Sequence, residues 1–317
     1  NRFQDSMLQS GNTNAKLRYD LRPLSTDVIR RQALGKEQTL LQYAVTDTAV
    51  FVFVLNSQGF YMHRLKKRVL DDVAALKQLY NLSATAFREP AYRLYQQLIQ
   101  PVEHHFISGQ LIVVPDAELY YLNFELLVSD NNAIQFNKMN YLIRRYNITY
   151  QLSATNAVLL QSAKAPAGDK AMLLVPVFTD EMKNAYRTSV GDTSMADPQY
   201  HNLLRQPFTL LAANEIGRYI KNDLFAGQNA IESVFKETAA NYNILHLGTH
   251  AEVNNAAPLQ SRFFLAKPVP ADSLGMDDGY LHAYEIYATP LQAELAVLTA
   301  CETGTGNWRQ GEGVMSL

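Results

Sequence analysis

The chain carries little that is reactive, strongly charged or membrane-seeking. Its 317 residues include one cysteine, Cys301. A single thiol excludes an internal disulfide and suits a reducing, cytoplasmic compartment. Lysine and arginine total 28 against 30 aspartates and glutamates, a formal net charge of −2, so no basic footprint recommends nucleic acid contact. The longest apolar run, Thr48 to Leu55, has strand length and falls well short of the roughly 18 residues of a membrane span. The opening Asn1-Arg-Phe-Gln-Asp lacks the basic-then-apolar order of a signal peptide. Because the first residue is not Met, a fragment or a processed product is expected. No internal repeat of about 20 to 50 residues is visible. Glu302-Thr-Gly-Thr-Gly-Asn307 lacks the GK[ST] ending of a phosphate-binding loop, which argues against a nucleotide cofactor. What remains is an ordinary globular composition, 47% hydrophobic and 18% charged, long enough for one or two cores.

The pattern along the chain divides it in three. Residues 1–36 are a polar N-terminal segment or linker broken by Gly11, Pro23 and Gly35, with a helical pattern from Thr26 to Leu34. Residues 37–165 open as an antiparallel meander, with strands at Thr39–Ala44, Val50–Leu55 and Phe60–Leu65. Helical spacing follows over Val69–Tyr80 and Ala91–Ile99. The continuously apolar Leu111-Ile-Val-Val-Pro115 reads as a buried parallel strand. A helical or turn segment at Leu122–Leu127, a strand at Ile148–Leu152 and a helix capped by Ser153 complete this part. Between Ser162 and Lys170 the composition turns to Ala, Pro, Gly and Lys, a domain boundary.

Residues 166–317 then alternate strands with helices. Strands are expected at Ala171–Phe178, Ile244–His250, Arg262–Ala266 and Ala293–Ala300. Helices are expected at Leu210–Tyr219 and Ala230–Asn241, with a helical turn at Leu281–Tyr287. The polar stretch Thr179–His201 reads as a mobile loop. The class is α/β, a parallel sheet flanked by helices.

Two of these strands stop on reactive side chains. Asn243-Ile-Leu-His-Leu-Gly-Thr-His250 ends on an imidazole, and Leu295-Ala-Val-Leu-Thr-Ala-Cys301 ends on the thiol. Open α/β sheets bind ligands beyond the carboxyl ends of their strands. A thiol attacks only as thiolate and needs a base beside it, which His250 can supply. The backbone amides of Ala251 and Cys301 are candidate oxyanion donors. The bland alternative stays open at this point: a cysteine closing a run of Leu and Ala can be a small buried hydrophobe, and a strand-end histidine a polar cap. His246 and His250 do not suggest zinc, because four residues along a strand span about 13 Å; His246 reads as a packed neighbour. No metal is expected. His104 and His105 read as surface residues, while His63, His201 and His282 follow no usable pattern.

The strand carrying His250, the strand carrying Cys301 and Gly311-Glu-Gly-Val314 together resemble the CHAT family of caspase-like (clan CD) cysteine peptidases, relatives of separase. The 51-residue separation of His250 and Cys301 is close to the roughly 50 residues of caspases. Leu111–Leu119 and Leu122–Leu127 resemble the family's N-terminal part, so the resemblance covers most of 37–317. It implies that His250 and Cys301 form a catalytic dyad. It also implies a pseudo-caspase-like α/β subdomain, 37–165, preceding a catalytic caspase-like subdomain with a parallel or mixed sheet, 166–317.

The family pattern continues past Leu317 into a helix and further strands, so an incomplete catalytic half is expected. The family's histidine is often followed by glycine; Ala251 stands there and still offers an amide. Helical repeats that sense a partner or ligand often precede the domain, so a regulatory protein or repeat domain is an expected partner beside a protein substrate. Substrate-pocket candidates are Glu302, Asp278 and Glu312, with Asp277 and Glu285 nearby against Arg262 and Arg309. The acidic excess tilts against cleavage after Asp and leaves apolar or basic preference open. The expected function is a gated cysteine endopeptidase of bacterial defence or cell death. A catalytically silent scaffold and a self-processing enzyme are the alternatives.

Overall fold

A computed structural model describes residues 24–79, 83–162, 168–190, 197–271, 277–300, 307–309 and 313–315. The chain divides into two compact units, 1–164 with 308–313 and 165–307 with 314–317. Among the described residues no helix is long and apolar enough to cross a membrane.

The first unit is built on a mixed sheet. The meander forms as its alternation dictates, β1 (Gln38–Val45), β2 (Ala49–Leu55) and β3 (Phe60–Lys66) pairing antiparallel. β4 (Gln110–Val114) lies parallel to β1, and β5 (Asn147–Tyr150) parallel to β4. The order is β3-β2-β1-β4-β5. Successive side chains on a strand face opposite ways, and both faces here are buried. Leu41, Tyr43, Leu111 and Val113 join one core with α2 (Val69–Leu79) and α3 (Ala84–Leu98). Leu40, Ile112 and Val114 join another with α1 (Thr26–Gln32) and α4 (Ala154–Ser162). The Ser153 hydroxyl caps α4 by accepting from the Asn156 N–H at 3.0 Å. Helix α3 starts seven residues earlier than its apolar spacing suggested. Pro90 lies inside it, and Ser83 caps it by accepting from Ala86 N–H. Proline forfeits one helical bond and is disfavoured there, but Pro90 and Phe87 are buried in the core, and tertiary packing overrides the local preference.

The second unit holds a four-stranded, wholly parallel sheet. Its strands are β6 (Ala171–Val175), β7 (Asn222–Ala226), β8 (Ile244–Gly248) and, after the short strands given below, β12 (Leu295–Thr299), in the order β12-β8-β6-β7. The chain steps from β6 to β7 and then crosses back to β8, so the order reverses between β6 and β8. Such a switch point opens a crevice at the carboxyl ends of the strands.

The stretch expected to be a mobile loop is instead largely helical, with α5 (Asp180–Ser189) and α6 (Pro198–Asn202); residues 191–196 lie outside the described residues. Thr179 caps α5, and Met182 and Tyr186 are buried one turn apart, an amphipathic signal that the surrounding polarity hid. Helix α7 (Pro207–Ile216) covers one sheet face, and α8 (Glu232–Thr238) contributes to the core on the other. The expected strand at Arg262 is not part of the parallel sheet. It is β10 (Arg262–Phe264), the middle of a small antiparallel sheet between β9 (Ala251–Glu252) and β11 (Tyr280–His282), and α9 (Ala283–Ala288) follows.

Candidate active site

The strands leading to the two reactive residues are neighbours. β8 and β12 pair in parallel from Ile244↔Leu295 to Gly248↔Thr299, and the Thr249 N–H donates to the Thr299 carbonyl at 3.2 Å. His250 stands two positions beyond Gly248, and Cys301 two positions beyond Thr299. Cys301, Glu302 and Glu312 lie outside the described residues.

His250 is positioned by the segment that opens α7. Gly248 permits the approach: a Cβ there would lie 2.9 Å from Val175 Cγ1 and 3.1 Å from Thr209 Cβ, closer than packed carbons tolerate. With α7 seated on that face, Gln206 at its N-cap donates its backbone N–H to the Val177 carbonyl at 2.9 Å. The Leu204 carbonyl then lies 2.7 Å from His250 Nε2. A carbonyl only accepts, so Nε2 carries the proton and Nδ1 keeps its lone pair. Gln206 Nε2 lies 3.3 Å from Nδ1 and donates to it, while the Gln206 Oε1 is buried with no hydrogen-bond partner among the described residues.

The backbone that carries the other neighbour of His250 is strained. After β6 the backbone turns through Val177 and Phe178, both in the left-handed region at φ 67° and 53°. A β-branched residue is rarely found there, and such strain concentrates at functional sites. It brings the Phe178 ring to 5.3 Å from the imidazole. None of Leu204, Gln206, Val177 or Phe178 stood out in the sequence. One acts through a backbone carbonyl, and the others through conformation or contact, which residue spacing does not encode.

Ala251 follows His250 into β9. Phe264 N–H donates to the His250 carbonyl at 3.0 Å, and Phe263 faces Ala251. Antiparallel ladders alternate bonded and non-bonded pairs, so the Ala251 N–H points away from β10. His246 is buried on β8, with Nε2 3.1 Å from Thr299 Oγ1. Burial holds its imidazole below the usual histidine range, which keeps it neutral as a packed neighbour rather than a charge.

The acidic and basic neighbours are engaged elsewhere. Asp278 accepts from the Tyr280 N–H at 2.8 Å and gives its carbonyl to Lys267. Glu285 binds Lys236 at 2.6 Å and the His282 N–H at 2.9 Å. Arg262 bonds Glu252 at 2.9 Å and lies 4.2 Å over the Tyr280 ring. The Lys267 ammonium is nearly buried, 3.1 Å from Asp197 and boxed by Tyr186, Tyr200 and Tyr280; it is a structural ion pair. An apolar cavity of about 180 Å³ beside Ile29, Leu40 and Leu55 in the first unit has no titratable lining and is a packing gap.

A comparison with protein-family models matches the CHAT domain over residues 88–317, well over half the chain, including both strand-end motifs. The chain belongs to the CHAT family. A search of the curated proteins found no match. CHAT domains are related to caspase-like cysteine peptidases, and the α/β architecture of this chain, with helices on mixed and parallel sheets, is of the caspase-like kind. The matched region includes His250, whose imidazole Leu204 and Gln206 hold by both ring nitrogens.

Proposed function

We propose that this chain is a cysteine endopeptidase acting on a protein substrate through Cys301 and His250. The observation that carries the reading is the register of β8 with β12, which gives both residues the same two-position lead beyond a shared ladder. The tautomer of His250 supports it. With Nε2–H committed to Leu204, Nδ1 is the basic nitrogen.

In this reading the Cys301 thiol proton passes to His250 Nδ1, and the sulfur attacks the scissile carbonyl carbon. The Ala251 and Cys301 N–H groups hold the oxyanion. The C–N bond breaks as the imidazolium returns its proton to the leaving amine. Water, deprotonated by His250, then hydrolyses the thioester and frees the thiol. Leu204 keeps the imidazole oriented throughout and stabilises its charged form.

The Gln206 amide sits on Nδ1 and must yield when the thiol approaches. That contact is compatible with an enzyme held quiet until a regulatory partner binds, in defence or cell death within a reducing, cytoplasmic compartment. The same contact is the one observation that favours the silent-scaffold alternative. Labelling by a peptide ketone that alkylates active-site thiols separates the two. The enzyme reading expects Cys301 to be labelled in the wild type and spared in His250→Ala. A thiol that reacts equally without His250 sinks the dyad.

A further inference from the structure

In the first unit His63 meets a pair of histidines some 40 residues later in the chain, His104 and His105. His63 lies on β3, the edge strand, and His104 and His105 lie in the 3₁₀ turn Glu103–His105 that follows α3. His63 Nε2 and His105 Nε2 are 3.0 Å apart, and one ring nitrogen from each of the three residues lies within 4.8 Å of the others. Two nitrogens bound tetrahedrally at about 2.0–2.1 Å to zinc stand roughly 3.3 Å apart, so the His63–His105 pair already has nearly ligand spacing, with a His104 nitrogen within 4.8 Å.

The surroundings hold this arrangement. Asn56, fully buried in the turn between β2 and β3, donates its amide to the His105 carbonyl at 2.8 Å, and its side-chain oxygen accepts from the N–H groups of Gln58 and Gly59. One side chain thus ties the hairpin to the histidine turn. The Tyr61 ring stacks on His105 at 3.8 Å and fixes its plane. Glu103 turns away, its carboxylate bonded to Tyr95, Tyr146 and Arg145.

We propose that His63, His104 and His105 form a binding site for a borderline transition-metal cation of the zinc class, with an open fourth position for water or an incoming donor. Three imidazoles without a carboxylate suit zinc, copper or nickel and disfavour calcium and magnesium, which require oxygen ligands. Bound metal clamps the edge strand to the turn after α3, closing a 41-residue loop between His63 and His104. All three histidines belong to the first unit, and His250 belongs to the second.

The test uses the whole chain with Cys301→Ala and His250→Ala combined, so that the dyad cannot compete for metal. Zinc is titrated against a chromogenic chelator, and cobalt is substituted to read ligand-field absorption. One equivalent of zinc per chain is expected. Affinity should fall at least tenfold in both His63→Gln and His105→Gln, and the cobalt bands should be lost. Stoichiometric binding that ignores both substitutions overturns the proposal, and so does an absence of binding. Should a variant misfold, the wild type still decides. Zinc must protect His63 and His105 from carbethoxylation by diethyl pyrocarbonate, as read by mass spectrometry. Equal modification with and without zinc means that the short nitrogen contact is a hydrogen bond between two histidines and nothing more.

Discussion

His250 Nε2 lies 2.7 Å from the carbonyl oxygen of Leu204, a residue 46 positions earlier on the loop that enters α7. The bond fixes which ring nitrogen is protonated, and therefore which one can take a proton from a thiol. Gln206, two residues on, occupies the other nitrogen.

Gln206→Glu should place a carboxylate beside the imidazole and favour its charged form. The acid limb of the pH profile for peptide-ketone labelling should move up by about one unit. An unchanged acid limb would show that Gln206 does not face the basic nitrogen in solution.

Gly248→Ala forces a methyl group against Val175 and Thr209 and should destabilise the second unit by about 1–3 kcal/mol. The measurement is the urea midpoint, with the slope unchanged. A neutral effect would mean that α7 does not pack on β8 as described, and the placement of Leu204 would fall with it.

Glu232 is buried beneath Lys236, and its carboxyl is pushed up to about 7 by burial and by the charge of Glu285, with Lys236 pulling the other way. An unfolded glutamate releases its proton near about 4.3. Between those values the folded chain binds the extra proton, so this group's contribution to stability declines as pH rises from about 4.5 to about 7. Glu232→Gln should flatten that part of the curve. Thermal midpoints at pH 5 and pH 8 for the two proteins test it; identical differences would refute the assignment.

Leu204 and Phe208 are 76% and 79% exposed, two positions to either side of Gln206, whose amide bonds the imidazole. Phe208→Ser should raise KM for peptides with a large apolar residue next to the scissile bond, leaving kcat within about twofold. An equal fall in kcat for all peptides would assign Phe208 to the fold instead.

Much of this was legible in the residues because it rests on periodicity. The apolar runs at Leu111 and Ile244 are strands buried on both faces, the largely exposed run at Leu295 is a strand through its ladder with β8, and the two that end near His250 and Cys301 are neighbours as their motifs implied. The helix from Asp180 was hidden because only Met182 and Tyr186 of its ten residues are buried. β7 was hidden because Asn222–Ala226 is nowhere fully buried. Contacts made by backbone atoms, such as the Leu204 carbonyl, leave no residue-type signal. The three histidines of the first unit were illegible for another reason: 41 residues separate His63 from the other two, and only the strand register and the turn after α3 bring them together.

The most direct test of the dyad uses the fact that the chain has one thiol. The rate of iodoacetamide alkylation of Cys301 is followed against pH in the wild type and in His250→Ala. The account predicts a thiolate already formed below the ordinary value of about 8.5 in the wild type, and a return to about that value when the imidazole is removed. Superimposable profiles would contradict it, because His250 would then exert no influence on the sulfur it is said to activate.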